Sequence, residues 1–159
     1  MTSKRSIMLA TFIALAMAMI AVAVVQATPP TGQTASTPVI GTLDGGGLVN
    51  TDRIKFQAKD QVDVATYTVT YAGGGFSGWH THPGVLFVTV QSGSVIRTVG
   101  CNSVTYGAGQ TFVESDEQPA GSVANASAVD QAVLSVTQIV PHGSVRRVDV
   151  GADDAPACP

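Results

Sequence analysis

The sequence has few charged residues, and basic residues are especially scarce. Charged residues make up 12% of the 159 positions, with eight Lys and Arg against eleven Asp and Glu. Beyond residue 27, Arg146 and Arg147 are the only adjacent basic residues. A protein that binds nucleic acid usually carries a basic patch or stripe. We therefore expect no nucleic-acid partner.

Cysteine is also scarce, with Cys101 in the middle of the chain and Cys158 next to its end. In an exported protein, an even number of cysteines favours a disulfide. We predict a Cys101–Cys158 bridge that holds the acidic tail, residues 151–159, against the preceding domain. It would close a loop of about 57 residues, worth roughly 4 kcal/mol in the chain-entropy model. The alternative is two free thiols.

One long apolar run lies near the N-terminus. Lys4 and Arg5 precede residues 7–25, and the small residues Val25 and Ala27 follow the pattern of a signal-peptidase site. This arrangement predicts a secretory signal over residues 1–27. The run is just long enough to cross a bilayer, so a retained N-terminal membrane anchor is the alternative. In both cases we expect a secreted or cell-envelope protein, whose membrane contact, if any, is this segment.

The mature chain divides into three parts. Residues 28–52 are rich in Pro, Thr, Ser and Gly, which predicts a flexible linker. Residues 53–150 form the predicted domain, and residues 151–159 are the tail. Without residues 1–27, six basic residues remain against eleven acidic ones, a net charge of −5.

The predicted domain shows strand patterns and no convincing helical period. Short β-branched or alternating segments between glycine-rich turns favour a sandwich or barrel. Ser92 and Gly93 predict a tight hairpin between two of these strands. The predicted strands are 53–57, 62–71, 85–90, 94–99, 103–106, 110–114, 122–124, 132–140 and 145–150.

Two of the three histidines lie two residues apart in the stretch Gly-Gly-Gly-Phe-Ser-Gly-Trp-His-Thr-His-Pro-Gly, residues 73–84. In an extended strand, alternate side chains share a face, so His80 and His82 point the same way. Neutral imidazole is a good ligand for zinc, copper, iron and nickel. Trp79 points to the opposite face, where we expect it to pack.

This stretch resembles the first motif of the cupins, in which a Gly and five residues precede His-x-His and a later Gly. The matching residues are Gly74, His80, His82 and Gly93. The resemblance covers about Val64 to Val150, and this stretch looks like that of short single-domain bacterial cupins. It implies an all-β fold, a jelly-roll-like antiparallel barrel of the cupin type that usually holds a divalent metal.

The sequence departs from the cupin pattern at the other two ligands. The first motif normally has a Glu three or four residues after the second His, where this chain has Leu86 and Phe87. The third His position is taken by Phe112 or, in an alignment with an insertion, by Gly121. Two of the four usual ligands remain, so the motif is degenerate.

Glu114 is the candidate that could complete the site. It lies two residues after Phe112 on a predicted strand and should face the same way. Two His and one carboxylate suit iron(II) and leave positions open on the ion. His142, in a predicted loop, is the rival ligand. The expected cofactor is Fe, Mn, Ni, Cu or Zn, or none if the histidine pair is a remnant.

Three functions are consistent with these residues. The first is an exported cupin that binds a divalent metal and a small molecule in its barrel. The second is a metal-dependent enzyme of the cupin type, such as a dioxygenase or isomerase. The third is a non-catalytic envelope domain that has lost the metal site. The sequence favours the first and leaves the substrate and the oligomeric state open.

Overall fold

The structure is a computed structural model that describes residues 27–151 and 155–156. Every regular element in this part of the chain is a β-strand. The strands are β1 (Thr31–Ala35), β2 (Val39–Leu43), β3 (Leu48–Asn50), β4 (Lys55–Gln57), β5 (Val62–Phe76), β6 (His80–Thr81), β7 (Val85–Ser92), β8 (Ser94–Val99), β9 (Asn102–Gly107), β10 (Thr111–Ser115), β11 (Gly121–Asn125), β12 (Ala132–Pro141) and β13 (Val148–Asp149).

The strands build a nearly closed antiparallel barrel. One wall runs β10-β7-β12-β5, with β1 and β2 on the other edge of β5. The second wall contains β8 and β9 beside β11, which continues to β6 and β13. The walls meet where Phe76 of β5 pairs with Ala124 of β11. The prediction of an all-β antiparallel barrel is confirmed.

Most predicted strands are present within one or two residues of their predicted bounds. The largest differences are β5, which continues to Phe76, and the last strand, which contains only Val148 and Asp149. Three glycines, Gly73 to Gly75, lie in β5 just before Phe76, where the two walls meet, and Gly74 has a φ of 69°. A Cβ at Gly73 would lie 2.5 Å from the carbonyl oxygen of Ala128, so only glycine fits there.

The predicted hairpin at Ser92 and Gly93 is wrong. β7 pairs with β10 and β12, whereas β8 pairs with β9 and β11. A single residue, Gly93, separates the two strands, and its φ of 73° sends the chain from one wall to the other. One residue is too short for the two-residue loop that a tight hairpin needs.

The structure also corrects the predicted linker over residues 28–52. β1 pairs with β5 from Ala35–Val69 to Thr31–Phe76, and β2 pairs with β5 from Val39–Thr66 to Leu43–Val62. The long edge of β5 exposes backbone groups that need partners, and these strands supply them. Proline precedes both strands, where its missing N–H is tolerated. The prolines of this segment therefore lie just before strands and do not indicate a flexible linker.

The predicted domain boundary at residue 53 also differs from the structure. β3 and β4 pair with each other as a separate two-stranded sheet, from Leu48–Gln57 to Asn50–Lys55. The predicted strand 53–57 thus belongs to a hairpin inserted between two barrel strands. The barrel itself begins with β1.

The core lies between the two walls, and the alternation of buried side chains is clearest in β12. In β12 each second residue is buried, from Ala132 through Leu134 and Val136 to Val140. The hydrophobic cluster also contains residues of five other strands: Val69, Tyr71, Leu86, Val88, Val90, Val95, Phe112 and Val123. Burial of this face holds the strands in register, since a slip by one residue would turn these side chains to solvent.

Residues 1–26, which carry most of the predicted signal, and Cys158 lie outside the described residues. The signal and the disulfide therefore stay predictions. Among the residues that the structure describes, we find no helix that is long and apolar enough to cross a membrane.

Candidate metal centre

The structure brings the three predicted ligands together inside the barrel. His80 begins β6, His82 follows it, and Glu114 lies in β10. All three are buried, and one ligand atom from each lies within 4.8 Å of the others. The two imidazole rings meet edge to face, with centroids 4.8 Å apart. That these residues bind a metal stays a prediction.

Both histidines are oriented by backbone carbonyls. Nδ1 of His80 lies 2.9 Å from the oxygen of Gly78, and Nδ1 of His82 lies 2.6 Å from the oxygen of Arg146. A carbonyl oxygen only accepts, so each Nδ1 carries the proton and donates. In the neutral ring, Nε2 then holds the free lone pair. Metal-binding histidines usually have their other nitrogen fixed in this way.

His82 and Glu114 face each other at the distance expected for two ligands of one ion. Nε2 of His82 lies 3.3 Å from Oε2 of Glu114. Two atoms bound at about 2.1 Å with tetrahedral angles lie about 3.4 Å apart. Without a cation, a neutral His82 would point its lone pair at the carboxylate. A metal ion or a proton at Nε2 removes that repulsion.

Glu114 is held as a carboxylate by its surroundings. Burial acts to raise the pKa of Glu114, but the hydrogen bond with His82 and the charges of the two histidines and Arg97 outweigh it and lower that pKa. Nε of Arg97 lies 3.4 Å from Oε1, while Oε2 faces His82. The second oxygen therefore remains directed at the histidines.

His80 is buried in a way that keeps it neutral. Burial lowers the pKa of His80 to about 4, and the positive charge of Arg147 acts in the same direction. The ring therefore carries no charge near pH 7. A neutral imidazole is the form that binds metal.

Glu114 lies on the strand next to β7, the strand that carries Leu86 and Phe87. It pairs across the sheet with Leu86, one of the two positions where the motif normally has its Glu. The carboxylate of Glu114 thus lies on β10, beside that position of β7, and lines the barrel cavity. The strand phase of Glu114 was predictable, but its partner on β7 depends on tertiary register.

The other residues considered for the site supply no ligand atom. Nδ1 of His142 lies 2.7 Å from Oδ1 of Asp63 on the surface, so the rival ligand is not brought to the site. Phe112 is buried against Tyr106, and Gly121 pairs with His80. Trp79 is half-buried and does not line the cavity beside the histidines.

Gln138 is a site residue that the sequence reasoning missed. It is 0% exposed and lies in the inward phase of β12. Its amide donates to the oxygen of Arg146, the same atom that His82 binds, and the hydroxyl of Tyr67 donates to Oε1. The available signal was that Gln138 is the one polar residue at the apolar positions of this strand. A buried amide needs hydrogen-bond partners, so such a position indicates a polar contact inside the barrel.

A cavity of about 440 Å³ opens beside the three ligands. Its walls are mostly apolar, and its lining includes residues of the segment predicted as a linker. The lining residues include Pro30, Gln33, Ala35, Tyr67, Val69, Leu86, Val88, Phe112, Leu134, Val136, Arg146 and Arg147. An ion at the three ligands would face a space large enough for a small molecule.

Comparisons with known proteins relate this barrel to solved structures only. No family model and no curated protein matches the chain. An oxalate oxidase in complex with glycolate is 21% identical at a TM-score of 0.45, over 54% of this chain and 45% of that one. A Klebsiella pneumoniae protein with a double-stranded β-helix domain is 17% identical at a TM-score of 0.46, over 55% of this chain and 74% of that one.

A third similar structure is the Cnp3 cupin domain of Schizosaccharomyces pombe, 11% identical at a TM-score of 0.46, over 67% of this chain and 68% of that one. The fold of the described residues is a nearly closed antiparallel β-barrel. The chain spans less than half the length of two oxalate oxidases that it matches. Any chemistry of this barrel therefore rests on its own residues.

Proposed function

We propose that this protein binds one divalent metal ion through His80, His82 and Glu114, and a small molecule in the adjacent cavity. One observation carries the proposal: both histidines donate Nδ1–H to backbone carbonyls, which leaves Nε2 free as the ligand atom. Glu114 supplies the third ligand, 3.3 Å from His82.

The ligand set suits Fe(II), Mn, Ni, Cu or Zn. Two imidazoles and one carboxylate are typical of sites that keep coordination positions open. When bound, the ion would supply a Lewis-acid centre for an oxygen-bearing molecule in the cavity. Arg97 holds the carboxylate of Glu114, and Gln138 and Tyr67 hold the carbonyl group that orients His82.

The Arg97–Glu114 ion pair favours a second candidate, a non-catalytic domain without metal. In that case a proton on Nε2 of His82 would neutralise the contact, and the three residues would form a closed network. A metal-dependent enzyme, such as a dioxygenase or isomerase, is the further alternative, supported by the open positions on a three-ligand ion.

Metal titration of the metal-stripped protein tests the proposal. We expect His80→Ala, His82→Ala and Glu114→Gln each to weaken binding by more than the roughly 10- to 100-fold that an outer-shell change costs. His142→Ala is the matched control, because this histidine pairs with Asp63 away from the cavity. It should leave the affinity unchanged.

Two results would contradict the proposal. Absence of binding by the wild-type protein to each of the five ions would support the metal-free network. Unchanged affinity in both histidine variants would place the ion elsewhere.

We also propose export to the cell envelope or medium, supported by the basic-then-apolar pattern of residues 4–27. Mass spectrometry of exported protein should find a residue near Thr28 at the N-terminus, whereas an intact Met1 would support the anchor. Non-reducing peptide mapping should find Cys101 joined to Cys158. Quantitative labelling of both thiols in the native protein would exclude the bridge.

A further inference from the structure

Two adjacent arginines line a cavity whose walls are otherwise mostly apolar. Arg146 and Arg147 belong to the segment between β12 and β13, and both contribute to the lining. Val69, Leu134 and Val136 form part of the apolar wall. The segment therefore places positive charge beside a space that suits an apolar molecule.

Arg147 is already engaged by the protein. Its Nε donates to Oδ1 of Asp149, and its Nη2 donates to the carbonyl oxygen of Ser77. The Asp149 carboxylate balances its charge. Its contacts indicate a structural role in joining the segment to the barrel.

Arg146 differs from its neighbour because no carboxylate among the described residues forms an ion pair with it. Its backbone oxygen accepts the 2.6 Å hydrogen bond from His82, so the residue is anchored beside a candidate ligand. Its charge also acts on Tyr67 of the cavity wall, where it opposes the rise in the Tyr67 pKa that burial causes. The backbone contact anchors the residue, and its exposed side chain is among those that line the cavity.

The charges around the cavity do not balance. Glu114 is the one carboxylate among the described lining residues, and Arg97 and His82 already contact it. Arg146 remains, and a divalent ion at the histidines would add further positive charge. The cavity thus favours an anion.

We propose that Arg146 recognises the carboxylate of a small organic anion whose apolar part packs against the valine and leucine wall. The planar guanidinium donates two parallel N–H bonds, which match the two oxygens of a carboxylate. This inference names the ligand class of the proposed metal site, and it rests on that proposed function for the ion beside the anion.

The test compares carboxylates with their uncharged amides. Calorimetric binding of acetate, hexanoate and benzoate, each paired with acetamide, hexanamide or benzamide, is measured on wild-type protein with and without Zn(II). We expect at least one carboxylate to bind about tenfold or more tightly than its amide, as a charge-assisted hydrogen bond would give. Arg146→Gln should remove this preference, and Arg146→Lys should retain part of it.

Arg53→Gln is the matched control, since it removes one positive charge from an exposed turn of the β3–β4 hairpin. It should leave the preference intact. No preference for any carboxylate, a preference that survives Arg146→Gln, or equal loss in the control would each overturn the inference. Metal affinity is measured separately on each variant. Loss of the carboxylate preference in Arg146→Gln without a change in Zn(II) affinity supports the inference, and failure of Zn(II) to bind the wild type contradicts only the metal proposal.

Discussion

Gln138 offers a direct test of how the interior polar network holds His82. Gln138→Leu keeps a side chain of similar size but removes the donor to the oxygen of Arg146 and the acceptor for Tyr67. The oxygen of Arg146 keeps its bond from His82, whereas the hydroxyl of Tyr67 loses its partner. The substitution therefore changes a defined set of contacts.

The expected cost follows from those contacts. Two hydrogen bonds contribute about 1 kcal/mol each, and an unpaired, partly buried hydroxyl costs about 1–3 kcal/mol. Removing a buried amide offsets part of this, so we expect a loss of about 1–3 kcal/mol in the free energy of unfolding. Metal affinity should fall by roughly tenfold or more, because the carbonyl that orients His82 loses its second donor.

Urea denaturation of the metal-free protein measures the first quantity, and metal titration measures the second. Gln57→Leu on the exposed face of β4 is the control and should change neither. Tyr67→Phe removes only the hydroxyl, and its effect should not add fully to that of Gln138→Leu, since both changes break one bond. Wild-type stability together with wild-type metal affinity in Gln138→Leu would refute this account of the network.

Three further predictions address acid stability, the N-terminal strands and the core. Because the pKa of His80 falls to about 4 on folding, the unfolded chain takes up a proton on this histidine before the folded protein does as the pH drops. The free energy of unfolding of the metal-free protein should therefore fall by about 2 kcal/mol between pH 7 and pH 5. His80→Gln should flatten this pH dependence in urea titrations. Glu114, with its lowered pKa, adds a loss only below about pH 4.5. Gly78→Ala should lower the melting temperature and weaken metal binding, since the φ of Gly78 is 72° and a Cβ would overlap the Thr28 oxygen. An unchanged melting temperature would mean that residue 28 does not pack against Gly78. Leu134→Ala, at 2% exposure, should cost about 2–5 kcal/mol by urea denaturation, whereas a cost below 1 kcal/mol would contradict its place in the core.

The sequence by itself determined the strands and the direction of their side chains. Alternation is a local property with a period of two, so it predicted that His80 and His82 share a face and that Glu114 has the phase of Phe112. The same property predicted most strand bounds between residues 62 and 141. These conclusions needed no knowledge of which strands are neighbours.

Strand partners were decided only by the tertiary structure. Ser92 and Gly93 fit a hairpin locally, but the buried faces of β7 and β8 belong to opposite walls. The proline-rich segment before residue 52 has a linker composition, yet the free edge of β5 recruits two strands from it. Composition does not reveal an edge that needs hydrogen-bond partners.

In the candidate site, too, some features follow from the local sequence and others only from the tertiary structure. The histidine pair was evident from spacing, whereas the positions of Glu114 opposite Leu86 and of Gln138 beneath His82 follow from pairing between distant strands. The Arg146 carbonyl reaches His82 across 64 residues of chain. Such contacts arise because burial of the apolar faces fixes the register of the whole barrel, and that register brings residues that are far apart in the sequence to the same point.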